Sequence, residues 1–226
     1  MSYLRWLVRL RRNPSALLLF VQLVGILVYP FLEGTESGRI AFGAFGIAVL
    51  VATTRMVRST PGLNWIAFGL AVPAVVLQAI QAVEPQPLLV AVSAALEAAF
   101  YFYAAASLIA YMLADRHATT DELFAAGATF TLLVWAFTWV FVFLQALRPG
   151  TFAAAMQPEA ARTWTELMYL SFALLSSTGI GDVIPLTPIA RAVAAIEMFA
   201  GVMYLAAVVS RLIGLTLLQR GGTNGS

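Results

Sequence analysis

SSTGIGDVIP, Ser176 to Pro185, stands between two apolar runs and decides how the rest of the chain is read. Two glycines flank one apolar residue, hydroxyls precede them and an aspartate follows, a pattern that suits neither helix nor strand. Inside a bilayer such backbone is tolerated only where it is buried in protein or lines a water-filled path. Glycine reaches left-handed dihedrals without steric cost, which lets successive carbonyls turn to one side. A row of carbonyls around a narrow axis can replace the hydration shell of a cation.

The surroundings are those of a membrane. Of 226 residues, 61% are hydrophobic and 11% charged, whereas a soluble domain carries about 25% charge. One integral membrane domain is the expected organisation. All 13 basic residues are arginine, so a lysine Schiff base is excluded. With no cysteine, disulfides and thiolate chemistry are excluded too. The lone His117 lies in a polar loop beside Asp115 and Asp121, too few ligands for a metal site. No nucleophile–base pair, phosphate loop or basic nucleic-acid patch is present. The chain is expected to be no enzyme, to need no cofactor and to bind no nucleic acid.

A helix needs about 20 apolar residues to span a bilayer. Six runs qualify: 15–32, 39–57, 62–83, 88–113, 122–147 and 188–214. Residues 148–187 form a long connection whose middle, Thr163 to Ser177, is apolar and compatible with a helix too short to cross. It is read as a re-entrant helix whose C-terminal end, carrying partial negative charge, delivers the chain into SSTGIGD. Residues 1–14 hold Arg5, Arg9 and Arg12 on one helical face and read as a short surface helix or a positive topological flank. No cleavable signal is apparent. With a cytoplasmic N-terminus, nine arginines fall on inner segments and four on outer ones, which satisfies the positive-inside rule. Both termini are then cytoplasmic. The arginine and alanine bias suits a GC-rich bacterial genome, and the expected location is then the bacterial inner membrane. GGTNGS at the end reads as a flexible tail with an unmodified sequon.

Helix, re-entrant helix, glycine loop, helix: from about residue 122 to 215 the chain resembles the tetrameric potassium-channel superfamily, most specifically at ELMYLSFALLSSTGIGDVIPLTPIAR. Aligned on the glycines, Ser177 takes the place of the first threonine of the family's TVGYG, and Thr178 that of valine. Gly179 and Gly181 match, Ile180 replaces tyrosine, and Asp182 matches the usual following aspartate. The resemblance implies potassium sites built from the carbonyls of Ser177, Thr178, Gly179 and Ile180, with Gly181 closing the filter. It implies an all-α membrane protein with six spans and one re-entrant pore helix, assembled as a homotetramer in the lipid bilayer and passing monovalent cations. Gly201 falls where many members have an inner-helix glycine and is a candidate gating hinge, or a packing glycine. The domain division is a surface segment 1–14, a four-helix domain 15–113, a linker 114–121, a pore domain 122–219 and a tail 220–226.

Three departures bear on selectivity. Ile180 lacks a phenol to brace the filter, and the re-entrant helix offers Leu170 and Phe172, which suggests an apolar cuff. Thr178 adds a hydroxyl, and Ala173 leaves Asp182 without a carboxylate partner. The fourth span carries Glu97 and no arginine, so a conventional voltage sensor is not expected. Glu197, one turn before Gly201, either faces a cavity or sits behind the filter bonding Ser171 or Ser176; the second role is favoured. Glu97 has Gln78 or Gln22 as a candidate partner. Trp135, Trp139 and Trp164 read as packing or interfacial anchors, and Pro73 as a kink. Two alternatives to a potassium channel stay open: a weakly selective cation pore, and a receptor or transporter whose glycine loop is structural.

Overall fold

The computed structural model describes residues 14–32, 64–83, 86–114 and 120–223. The expected surface helix, the span 39–57, His117 and the last three residues lie outside the described residues. Six helices are seen among those described: α1 (Pro14–Leu32), α2 (Asn64–Val83), α3 (Pro87–Ala114), α4 (Thr120–Leu147), α5 (Trp164–Leu175) and α6 (Pro188–Thr223). Two three-residue strands, β1 (Phe152–Ala154) and β2 (Val183–Pro185), pair antiparallel with Phe152 opposite Pro185 and Ala154 opposite Val183. This ribbon was not anticipated in an all-α reading.

Among the described residues, three helices are long and apolar enough to cross a membrane, over Pro87–Leu113, Asp121–Leu147 and Pro188–Arg211; Ser15–Phe31 and Trp65–Gln81 are shorter apolar helices. Where the structure describes the expected spans, their boundaries agree within two residues, except that α6 runs on to Thr223 instead of ending near 214. The twelve residues of α5 span about 18 Å, too short to cross. Its start is fixed by a capping box: the Glu166 N–H donates to the Thr163 hydroxyl at 3.3 Å and the Thr163 N–H to the Glu166 carboxylate at 2.8 Å.

The central element is α4, which packs against α1, α3, α5 and α6, while α2 attaches through α3. Lipid is as apolar as a side chain, so helices associate there through close packing and hydrogen bonds. The sequence of α4 supplies both. Ala125, Ala128 and Gly127 let α1 approach, with Leu19 so close to Gly127 that a Cβ there would meet its Cδ2 at 3.0 Å. Thr129 and Thr138 are buried, and each returns its hydroxyl to the carbonyl four residues back, at 2.8 Å. Aromatic rings join four elements at one place: Trp164 at the head of α5 meets Tyr29 of α1 at 4.5 Å and Trp135 of α4 at 5.9 Å, and Trp135 meets Tyr101 of α3 at 5.6 Å. These tryptophans are packing residues.

The tightest contact joins α6 to α5. A Cβ on Gly201 would stand 1.9 Å from the Leu175 carbonyl oxygen and under 3.0 Å from its C and Cα. The obstacle is backbone, which cannot swing aside. Gly201→Ala is expected to destabilise the protein by at least the about 1–3 kcal/mol typical of overpacking. Gly69→Ala in α2, where a Cβ meets nothing within 4 Å, should be neutral or stabilising by up to about 1 kcal/mol. Thermal unfolding of the two variants in detergent checks the contrast; equal midpoints would show that α6 does not sit this close to α5.

Candidate functional site

Residues 176–182 lead away from the end of α5, and that end is capped by the residues that follow it. The Ser176 N–H and hydroxyl both donate to the Phe172 carbonyl, at 3.0 and 2.6 Å. The Ser177 N–H donates to Leu174 O at 3.0 Å and the Gly179 N–H to Ala173 O at 3.1 Å. Thr178 Oγ1 lies 3.4 Å from Ala173 O and 3.1 Å from Ser176 Oγ. Three of the carbonyls a helix leaves orphaned at its end are thus taken up locally. Closing this turn puts Ser177 at φ +59° and Gly179 at φ +65°.

Gly181 differs from expectation. Its φ is not positive, and a Cβ there would meet Val183 O at an ordinary 3.6 Å. The left-handed residues are Ser177 and Gly179, because the helix cap needs the reversal immediately after Ser176.

The downstream end is held separately. The Ala155 N–H donates to Asp182 O at 3.2 Å, the β1–β2 ribbon follows, and the Leu186 N–H donates to Thr151 O at 2.9 Å. Arg191 Nε donates to Pro185 O at 3.0 Å. The Thr187 hydroxyl caps α6 by accepting from the Ala190 N–H at 3.3 Å. Between the two ties, the carbonyls of Ser177, Thr178, Gly179, Ile180 and Gly181 accept no hydrogen bond among the described residues, and all five residues are exposed within the subunit. Five consecutive free acceptors in a membrane protein require an outside partner, since unpaired carbonyls in hydrocarbon cost several kcal/mol each, roughly.

The residues expected to support the loop are placed as follows. Leu170 is buried in a small cluster with Phe141, Phe152, Leu167 and Val183, and Phe172 lies beside Phe130 with ring centres 6.2 Å apart. Ile180 stands 69% exposed, so no apolar cuff around it forms inside one subunit. No side chain among the described residues bonds the Asp182 carboxylate, while Asp182 O serves the ribbon. Glu197 is fully buried and accepts a short hydrogen bond from the Ser171 hydroxyl, the partner anticipated for it. Ser171 Oγ also lies 2.9 Å from Val134 O, so one hydroxyl joins α4, α5 and α6. Glu97 accepts from Gln78 Nε2 at 2.6 Å and from the Ser93 hydroxyl at 3.4 Å, whereas Gln22 turns to Ala128 O.

Sequence reasoning passed over Arg162. It is 5% exposed and donates to the carbonyls of Gln157 and Ala160 at 2.6 and 2.5 Å and to Glu166 at 3.2 Å, while its backbone exchanges two 2.8 Å bonds with Gln145. It fixes the loop before α5. The Thr163-Trp-Thr-Glu166 capping signature and the Arg162–Glu166 spacing were the available signals.

Removing the Glu197 side chain takes a hydrogen-bond partner from Ser171 and leaves a void between α5 and α6. Glu197→Ala should cost about 1–3 kcal/mol, while Glu197→Gln, whose amide can donate to Ser171 Oγ, should stay near the unaltered protein. Unfolding midpoints of both variants and of Ser171→Ala test this; additivity of Glu197→Ala and Ser171→Ala would show that the two groups do not interact.

The family model described as "Ion channel" matches residues 98–217, a little over half of the chain, from within α3 through α6. No curated protein and no solved structure shows a match. The matched region holds α4, the short α5, the glycine loop with its free carbonyls, and α6. The chain belongs to the ion channel family and is a multi-pass membrane protein.

Proposed function

We propose that four copies of the chain form a potassium-selective channel whose filter is the segment Ser177-Thr178-Gly179-Ile180-Gly181. The observation that carries this reading is the run of five carbonyls without partners, held between a helix cap and a β-ribbon. A monovalent cation satisfies such acceptors, and carbonyl rings are how a dehydrated ion is stabilised in a narrow pore. One subunit supplies one wall, so the ring is closed by cyclic symmetry. The exposed apolar surface of α6, including Ile196, Phe199 and Val202, then meets lipid or neighbouring copies. Family membership favours the channel over the receptor or transporter reading.

The runner-up is a weakly selective monovalent cation pore. Ile180 is exposed and lacks a hydrogen-bonding group to brace the loop, and Thr178 turns its hydroxyl to Ser176 and Ala173. Flux from proteoliposomes under potassium and sodium gradients separates the two. Potassium should pass in large preference, and equal fluxes would establish the weakly selective pore.

Gly179→Ala should abolish selective flux while the subunits still insert. Within its own subunit a Cβ there would meet nothing within 4 Å, so the penalty inside the subunit is one of dihedral, about 1–2 kcal/mol, and symmetry applies it four times. Gly181→Ala should be milder, and Ser177→Gly should relieve strain. Ser177→Ala keeps the carbonyl and should weaken only the innermost site. Selective potassium flux through assembled Gly179→Ala protein would rule the filter assignment out.

Opening should depend weakly on membrane potential. A charge moving through the full field gains about 2.3 kcal/mol per 100 mV, and α3 carries no arginine. Its one acidic residue, Glu97, is buried against Gln78 and Ser93. Conductance–voltage curves in planar bilayers should be shallow and unaltered by Glu97→Gln. A steep curve flattened by that substitution would make Glu97 a voltage-sensing group.

A further inference from the structure

A cavity of about 440 Å³ lies between α3, α4 and α6, near the end of α3 and the start of α4 and along Ala200 to Arg211 of α6. Ile109 and Met112 of α3, Leu133 of α4 and Met203 of α6 give it apolar walls. Alanines face the space from α4 (Ala126) and α6 (Ala200 and Ala207). In membrane bundles small residues ordinarily bring helices into contact; here they leave a gap. Tyr204 bridges that gap, donating its hydroxyl to Ala126 O at 2.6 Å, and so holds α6 off α4. Two of its lining residues, Leu113 and Met203, are 64% and 53% exposed, so the cavity reaches the surface of the subunit.

One part of the lining is charged. Arg211 of α6 pairs with Glu122 of α4 at 3.1 Å and also donates to Met112 O at the end of α3. The Glu122 side chain is 3% exposed and the Arg211 side chain 23%, so the cationic member faces outward. A guanidinium presents a planar fork of donors that fits a carboxylate or a phosphate.

We propose that this cavity binds a single-chain anionic amphiphile of the bilayer, its tail between α3, α4 and α6 and its headgroup on Arg211. The volume lies at the small end of the range of about 300–1,000 Å³ for ligand sites, which suits one hydrocarbon tail and not two. The apolar walls select a tail, the guanidinium selects an anion, and the exposed apolar rim at Leu113 and Met203 is where such a molecule would enter. The assignment goes beyond ion conduction and does not depend on the selectivity of the pore.

The test uses the assembled full chain in an uncharged maltoside detergent, titrated calorimetrically with oleate and, in parallel, with oleyl alcohol, which has the same tail and no charge. Oleate should bind saturably, one per subunit, and at least about tenfold more tightly than the alcohol. Arg211→Gln should bring oleate to the affinity of the alcohol and leave the alcohol unchanged. Ala207→Trp, which fills the space from α6, should abolish both at an unaltered unfolding midpoint. If either variant fails to fold, the comparison of oleate with oleyl alcohol on the unaltered chain decides alone. Equal affinity for the two overturns the headgroup assignment. No saturable oleate binding, or binding undiminished by a folded Ala207→Trp, overturns the site and leaves the cavity to a neighbouring copy of the chain.

Discussion

The backbone of α6 lies against the last carbonyl of α5 with no room for a methyl group at position 201, and the hydrogen bond from Ser171 to Glu197 fastens the same pair one turn earlier. In a bilayer no hydrophobic force drives two helices together, so contacts this close, with a buried polar bond beside them, are what holds the arrangement. The tie extends further, because Ser171 also reaches Val134 O, and that carbonyl already accepts from the Thr138 hydroxyl of α4. A short helix that cannot span the membrane is thereby fixed at its far end against two that can. Without that fixing, the residues after Leu175 would have no defined start.

A fixed start is half of what a carbonyl-lined segment needs. The cap on α5 sets Ser177 and Gly179 in left-handed dihedrals, and the β1–β2 ribbon holds the chain again from Asp182 onward. The connection before α5 is itself stiffened by the buried Arg162 and its carbonyl acceptors. The five residues between are short, bounded at both ends and lacking internal partners, so their oxygens stay available. The strain at Ser177, a residue with a Cβ at φ +59°, is sustained because three hydrogen bonds converge on the turn around it.

Much of this was legible in the sequence, and the failures have physical causes. Apolar run length located the described helices because a bilayer imposes one thickness on all of them, and the same rule identified Trp164–Leu175 as too short to cross. Glu197 with Ser171 and Glu97 with Gln78 could be anticipated because a buried carboxyl in an apolar setting must find a polar neighbour. The ribbon could not. FAA and VIP carry no alternation or turn signal, and their pairing is created by the distance the folded loop must close. The dihedrals of the glycine loop were half legible: Gly179 is left-handed as expected, yet the second left-handed residue is Ser177 and not Gly181. A glycine shows where reversal is free; the helix cap determines where it is used. Gly201 shows the same limit from the other side, since the sequence offered hinge or packing and only the 1.9 Å approach gives it a packing reason.

Two places in the matched region are gripped in chemically different ways. At the head of α5, rings from α1 and α4 pack around Trp164, and Tyr101 of α3 packs on Trp135 behind it, a contact that is apolar and close-packed. On α6, Arg211 is held by a carboxylate from α4 and a carbonyl from α3, a contact made of charge in a partly exposed place. Close-packed aromatics resist displacement, because every shift loses contacts on all sides. A partly exposed ion pair exchanges partners more readily, since any anion within reach of the guanidinium competes for it. The head of α5 is therefore held rigidly by close packing, and the Arg211 stretch of α6 exchangeably by an ion pair. Beyond Gly201, α6 leaves its close contact with α5 and meets the cavity and the ion pair instead.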